Sequence, residues 1–116
     1  MIGLAVAAGL WATPASADDV TIHVKSSYPY IVYLEFYSTI RNAAWPGGTL
    51  AYKLDDYETK RVTLSCRSGE KICYGAWTSD RRTTWGVGRG GGGTCRGIRA
   101  CCFTCGEGDV SFTLVD

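Results

Sequence analysis

The sequence predicts an all-β fold, a small antiparallel β-sandwich or barrel-like domain of about six to seven strands stapled by disulfides. Three observations predict it. Apolar and polar residues alternate strictly in several short stretches, glycine-rich turns separate them at intervals near 8–12 residues, and six cysteines sit in a short chain that opens on an export signal.

The export signal comes first in chain order. Ile2 to Ala12 holds only apolar residues and glycine, Pro14 breaks the run, and Ala15-Ser16-Ala17 follows as the small-x-small pattern that signal peptidase accepts. No Lys or Arg precedes the apolar run, which departs from the usual positive n-region. The run is shorter than the roughly 20 residues that span a bilayer, and no later segment is apolar enough to do so. The expectation is a signal peptide over 1–17, cleaved after Ala17, and a single cysteine-rich β domain over 18–116, secreted or periplasmic.

Within that domain Val20 to Lys25 alternates, with Val20, Ile22 and Val24 inward and Thr21, His23 and Lys25 toward water. Tyr30 to Tyr37 repeats the pattern with Val32, Leu34 and Phe36 inward and Tyr33, Glu35 and Tyr37 outward, and Pro29 marks its start. A loop over 38–48 ends in Trp45-Pro46-Gly47-Gly48, which is turn chemistry. Thr49 to Leu54 is a third strand. Arg61 to Cys66, the turn Arg67-Ser68-Gly69-Glu70 and Lys71 to Trp77 read as a β-hairpin. Thr83 to Val87 and Val110 to Val115 complete the set, separated by the glycine run 88–93 and the cysteine cluster.

Cys66, Cys73, Cys95, Cys101, Cys102 and Cys105 are read as three disulfides, because an oxidising compartment lets them persist. Fifteen pairings exist, and the three that join Cys101 to Cys102 would close a strained vicinal ring. Cys66 and Cys73 both point inward in the hairpin reading, and either a diagonal bridge between them or partners in the C-terminal cluster would serve. Cys102-x-x-Cys105 is also a spacing used by zinc sites and redox pairs, which is the rival reading of the cluster.

The chain carries 12 basic and 11 acidic residues, so the molecule as a whole is not an obvious polyanion binder, any electrostatic partner must be chosen by a local patch, and nucleic acid is not an expected partner. The single histidine, His23, has no Ser, Cys or carboxylate tied to it by local spacing, and no catalytic residue is assigned. Asp55, Asp56 and Glu58 read as a solvated turn, with a hard-cation site as the rival. Gly86-Val87-Gly88-Arg89-Gly90-Gly91 matches G-x-G-x-x-G as a string, but the glycines that follow cannot open the helix a dinucleotide fingerprint needs. The informative segment runs from Arg81 to Arg99, with Arg81, Arg82, Arg89, Arg96 and Arg99, no acid among them, and Trp77 and Trp85 flanking or interleaved. Guanidinium groups beside indole faces suit an anionic sugar, phosphate or lipid head group. Trp77, Arg81, Arg82, Trp85 and Arg89 are therefore the expected ligand-binding residues, against the alternative that the tryptophans are core and the arginines only solvate a loop.

Tyr28-Pro-Tyr-Ile-Val-Tyr, Pro46-Gly-Gly-Thr-Leu, Gly69-Glu-Lys-Ile-Cys-Tyr-Gly-Ala-Trp, Trp85-Gly-Val-Gly and the cysteine-rich end resemble a type of small exported cysteine-rich bacterial protein of uncharacterised function. The order of the first half is loosely similar to the opening strands of thaumatin-like β-sandwiches, which implies a sandwich. The expected function is a non-enzymatic exported binding or interaction module, without cofactor, for an anionic glycan, a lipid head group or another envelope component. The alternatives are a structural or stress-related envelope protein with no small ligand, and a zinc-binding or thiol-redox protein acting through the cysteine cluster.

Overall fold

A computed structural model describes residues 17–93, 95 and 101–115. Among them lie nine strands: β1 (Ala17–Ser26), β2 (Val32–Ser38), β3 (Ala44–Trp45), β4 (Tyr52–Leu54), β5 (Lys60–Arg67), β6 (Lys71–Thr78), β7 (Thr84–Gly86), β8 (Cys102–Thr104) and β9 (Val110–Leu114). They form two sheets, β5-β1-β9 and a larger one built on the β2–β6 pair. In the larger sheet β3 and β4 share the free edge of β2, and β7 and β8 share that of β6. The fold is all-β as expected. It is a two-sheet arrangement with open edges, not a closed barrel.

Alternation decides which face of each strand is buried. Val20, Ile22 and Val24 of β1 and Val62, Leu64 and Cys66 of β5 meet Val32, Leu34 and Phe36 of β2 and Ile72 and Ala76 of β6 in one core. Leu34, Phe36, Ile22 and Ile72 are wholly inaccessible to solvent, and burying each such side chain is worth about 1.5–3 kcal/mol. The short strands β3 and β8 fall in stretches that read as loop and cysteine cluster, because two or three residues carry no period of their own.

The expected hairpin between β5 and β6 does not form. β5 pairs antiparallel with β1 and β6 with β2, so the chain crosses from one sheet to the other at residues 67–70. Two alternating strands joined by a turn can put their apolar faces side by side in one sheet or against each other across a core, and local pattern is the same for both. Glu70 settles it. Its carboxylate, 1% exposed, accepts bonds from Arg41 Nε (2.5 Å) and a second Arg41 nitrogen (2.9 Å), from Ser38 Oγ (2.5 Å) and from the Arg67 N–H (2.9 Å), tying the turn to the end of β2. The bidentate Arg41 guanidinium outweighs desolvation and holds the Glu70 carboxyl down at about 2.

The three disulfides are Cys66–Cys105, Cys73–Cys102 and Cys95–Cys101. The first explains a second departure, since β9 runs parallel to β1 and the three-stranded sheet is mixed, whereas the larger sheet is wholly antiparallel. Cys66 lies beside Asp18 at the start of β1, so its bridge pins Cys105 there. The chain leaving Cys105 then runs along the free edge of β1 in the same direction, from Ile22↔Val110 to Ser26↔Leu114.

Candidate functional site

β6 is the middle strand of the larger sheet and is buried on both faces. Its inward residues enter the core, while Cys73, Gly75 and Trp77 point the other way, in register with Tyr37, Glu35 and Tyr33 of β2. What covers this outer face is the segment from Val87 through the glycine run. Gly75 admits it, because a Cβ there would stand 2.0 Å from the Gly88 carbonyl oxygen. Val87 packs with Cys73 and Cys101 in a small second core beside Tyr37 and Cys95. Farther along, the Gly90 N–H donates to the Tyr37 hydroxyl (2.9 Å), which donates to Glu35 Oε1 (2.7 Å). Burial first, then the bond to Glu35, raises the Tyr37 pKa above the ordinary tyrosine range, so the hydroxyl stays protonated as a donor.

Beyond this strap the outer face opens into a groove of about 400 Å³. Its lining includes Trp77, itself buried, and Tyr33, whose ring lies 6.2 Å from that of Trp77 and is tilted by 31°. Arg89, at the start of the strap, lays its guanidinium 5.9 Å from the Trp77 ring centroid, a cation–π arrangement. Leu50, 65% exposed, comes from the turn after Gly47 and Gly48 and also lines the groove. Arg81 closes one end. It sits at φ 62°, the one non-glycine residue with positive φ among those described, a conformation that costs about 1 kcal/mol or more and aims a side chain where a regular turn would not.

Neither Arg81 nor Arg89 forms an ion pair among the described residues. The nearby acids are otherwise engaged: Glu35 accepts the Tyr37 hydroxyl (2.7 Å), and Asp80 accepts from the Thr78 hydroxyl (2.6 Å) and the Arg82 N–H (3.0 Å), bonds that, Thr78 foremost, lower the Asp80 pKa. Two unpaired guanidinium groups beside an indole and a phenol can receive an anionic group attached to a flat or ring-shaped body.

Of the expected ligand-binding residues the structure brings together Trp77, Arg81 and Arg89. Trp85 lies elsewhere. It is in register with Ala76, on the core face of the sheet, where its ring stands edge-on to Tyr28 (5.4 Å) and its Nε1–H donates to the Val115 carbonyl (2.9 Å). The two tryptophans are eight positions apart in sequence, but the turn between β6 and β7 sends them to opposite faces. Arg82 is exposed at that turn and lines no wall of the groove. Arg96 and Arg99 lie outside the described residues, as do residues 1–16 of the export signal. Tyr33 and Leu50 complete the site without having been expected there. Tyr33 was legible as an outward aromatic, whereas nothing in the sequence placed Leu50 across from it.

The remaining candidates take other roles. The sulfurs of Cys95, Cys101 and Cys102 lie within 4.8 Å of one another, but all six cysteines are paired, and a zinc ligand is a thiolate. His23 Nε2 approaches Asp109 Oδ2 at 3.2 Å, and Ser111 is its register partner. The Asp56 carboxylate accepts the Glu58 N–H (3.0 Å), and Lys53 reaches Asp55 at 3.7 Å. No helix among the described residues is long and apolar enough to cross a membrane. No protein-family model matches the chain, and no curated protein or solved structure is significantly similar to it. The likeness to thaumatin-like sandwiches gains no support from these comparisons, and nothing is carried over from it.

Proposed function

We propose that the chain from Asp18 onward is an exported, non-enzymatic module that binds an anionic glycan in the groove over Trp77. The observation that supports this reading is that Arg81 and Arg89, neither in an ion pair among the described residues, line one groove with Tyr33 and the buried Trp77. A sugar ring offers a flat C–H face to an aromatic, and a carboxylate or sulfate offers the bidentate partner that arginine prefers. Export follows from the signal-like segment 1–17 and agrees with three disulfides, which oxidising compartments preserve.

The test is retention of the purified, disulfide-bonded chain on a carboxylated polysaccharide such as polygalacturonate, beside its uncharged methyl ester, anionic liposomes and single-stranded DNA. Preferential retention on the acid form, weakened by salt and reduced about 10-fold or more in the Arg81→Ala plus Arg89→Ala variant, is the expected result. Arg81→Gly sharpens it, because glycine accepts the positive φ without strain, so lost retention with undiminished stability points to the guanidinium. Equal retention of wild type and double variant overturns the glycan reading, and preference for liposomes or DNA replaces it with that partner. No retention on any of the four favours an envelope protein whose surface has no such ligand.

A further inference from the structure

A second cavity, of about 310 Å³, lies on the other side of Ser79, which borders both it and the groove. Its walls come from the β1–β2 connection, with Tyr28, Tyr30 and Ile31, and from the β4–β5 connection, with Asp55, Asp56 and Tyr57. Three of the eight lining residues are thus tyrosines, and none is a cation. Tyr28 is held firmly, edge-on to Tyr30 (5.8 Å) and Trp85 (5.4 Å), with its hydroxyl on Thr83 Oγ1 (3.3 Å) and its N–H on Ser26 Oγ (3.2 Å). Tyr30 and Tyr57 are instead 70% and 58% exposed. Among the described residues they are two of the five large hydrophobic ones that stand out in solvent, and both line this one cavity.

We infer that this cavity is a binding site for an organic ammonium group, of the primary amine or trimethylammonium type. A small cation with an apolar shell gains from aromatic faces and from carboxylates at once, and tyrosine-lined cavities recognise such groups by cation–π attraction. The rings select an organic cation over a hydrated metal ion, to which they offer nothing, and the carboxylates select a cation over a neutral isostere. Lys53 offsets Asp55 in part, across 3.7 Å with both side chains half exposed. Asp56 has no ion-pair partner among the described residues. The site does not depend on the arginine groove, whose charge is opposite and whose ligand is of another class.

The experiment is a titration followed by amide chemical shifts of the disulfide-bonded chain, with choline, its neutral isostere 3,3-dimethylbutan-1-ol and calcium as separate arms. Choline is expected to shift the amides of residues 28, 30, 31 and 55–57 saturably, and the isostere to bind about 5-fold or more weakly. Tyr57→Ala and Asp56→Asn, both at exposed positions, should each weaken choline by a similar factor without altering thermal unfolding. Arg81→Ala plus Arg89→Ala should leave choline binding unchanged, so that this site and the glycan reading fail separately. Absence of a saturable choline shift, equal binding of the isostere, or calcium acting in place of choline at the same amides overturns the inference.

Discussion

The two faces of the larger sheet are both covered, but by different physics. The inner face is covered by a second sheet, with rows of Val, Leu, Ile and Phe meeting across a common core. On the outer face lies a glycine-rich strap held by one valine, a tyrosine hydroxyl, a cation–π contact and the neighbouring disulfides. Apolar cover is continuous and leaves no room for a ligand. Glycine has no side chain to spread, so the strap protects only what lies directly under it, and the half-buried Tyr33 borders a groove beside the buried Trp77. The proposed binding site lies where cover by backbone stops.

This contrast can be broken at both ends. Leu34→Ala, on the inner face, should cost about 3 kcal/mol or more through the cavity it leaves, and denaturant unfolding should show the whole domain destabilised together. A loss confined to one sheet would mean that the two sheets are not one cooperative core. At the corner between the sheets, Glu70→Gln removes the charge of a buried carboxylate that a half-buried Arg41 pairs, and should cost about 2–3 kcal/mol. Because the folded Glu70 carboxyl titrates at about 2 against an ordinary 4.5, its contribution is complete above about pH 4.5 and is lost as pH falls toward 2. The wild type should therefore lose stability over that window by an amount that Glu70→Gln does not. Parallel pH profiles for the two proteins would show that Arg41 does not hold this carboxylate. The smallest effect is expected on the outer face. Tyr37→Phe should cost about 1 kcal/mol, with faster amide exchange at Gly90 and unchanged exchange in β1, and a uniform rise in exchange would contradict the separation of strap from core.

Much of the inner face was legible from residue order. The alternation of Val20 to Lys25, of Val32 to Tyr37 and of Arg61 to Cys66 placed every inward residue on the side where it is found, because period 2 leaves each strand one choice of face. The outer face was legible only as ingredients. Trp77, Arg81 and Arg89 were expected together and lie together, whereas Trp85 was grouped with them by proximity in sequence and belongs to the core. A turn's effect on which face the next strand shows depends on the number of residues and on the positive φ at Arg81, neither of which periodicity reveals.

Residue types and their spacing by themselves determined that this chain makes strands, which side of each is apolar, and that its cysteines pair, since these follow from local geometry and from covalent chemistry. Tertiary structure alone decided which strands are neighbours. The turn at 67–70 became a crossing between sheets because a distant Arg41 and Ser38 bind Glu70, and β9 became parallel because Cys105 is tethered at the start of β1. Both depend on partners tens of residues away, whose positions no local pattern encodes.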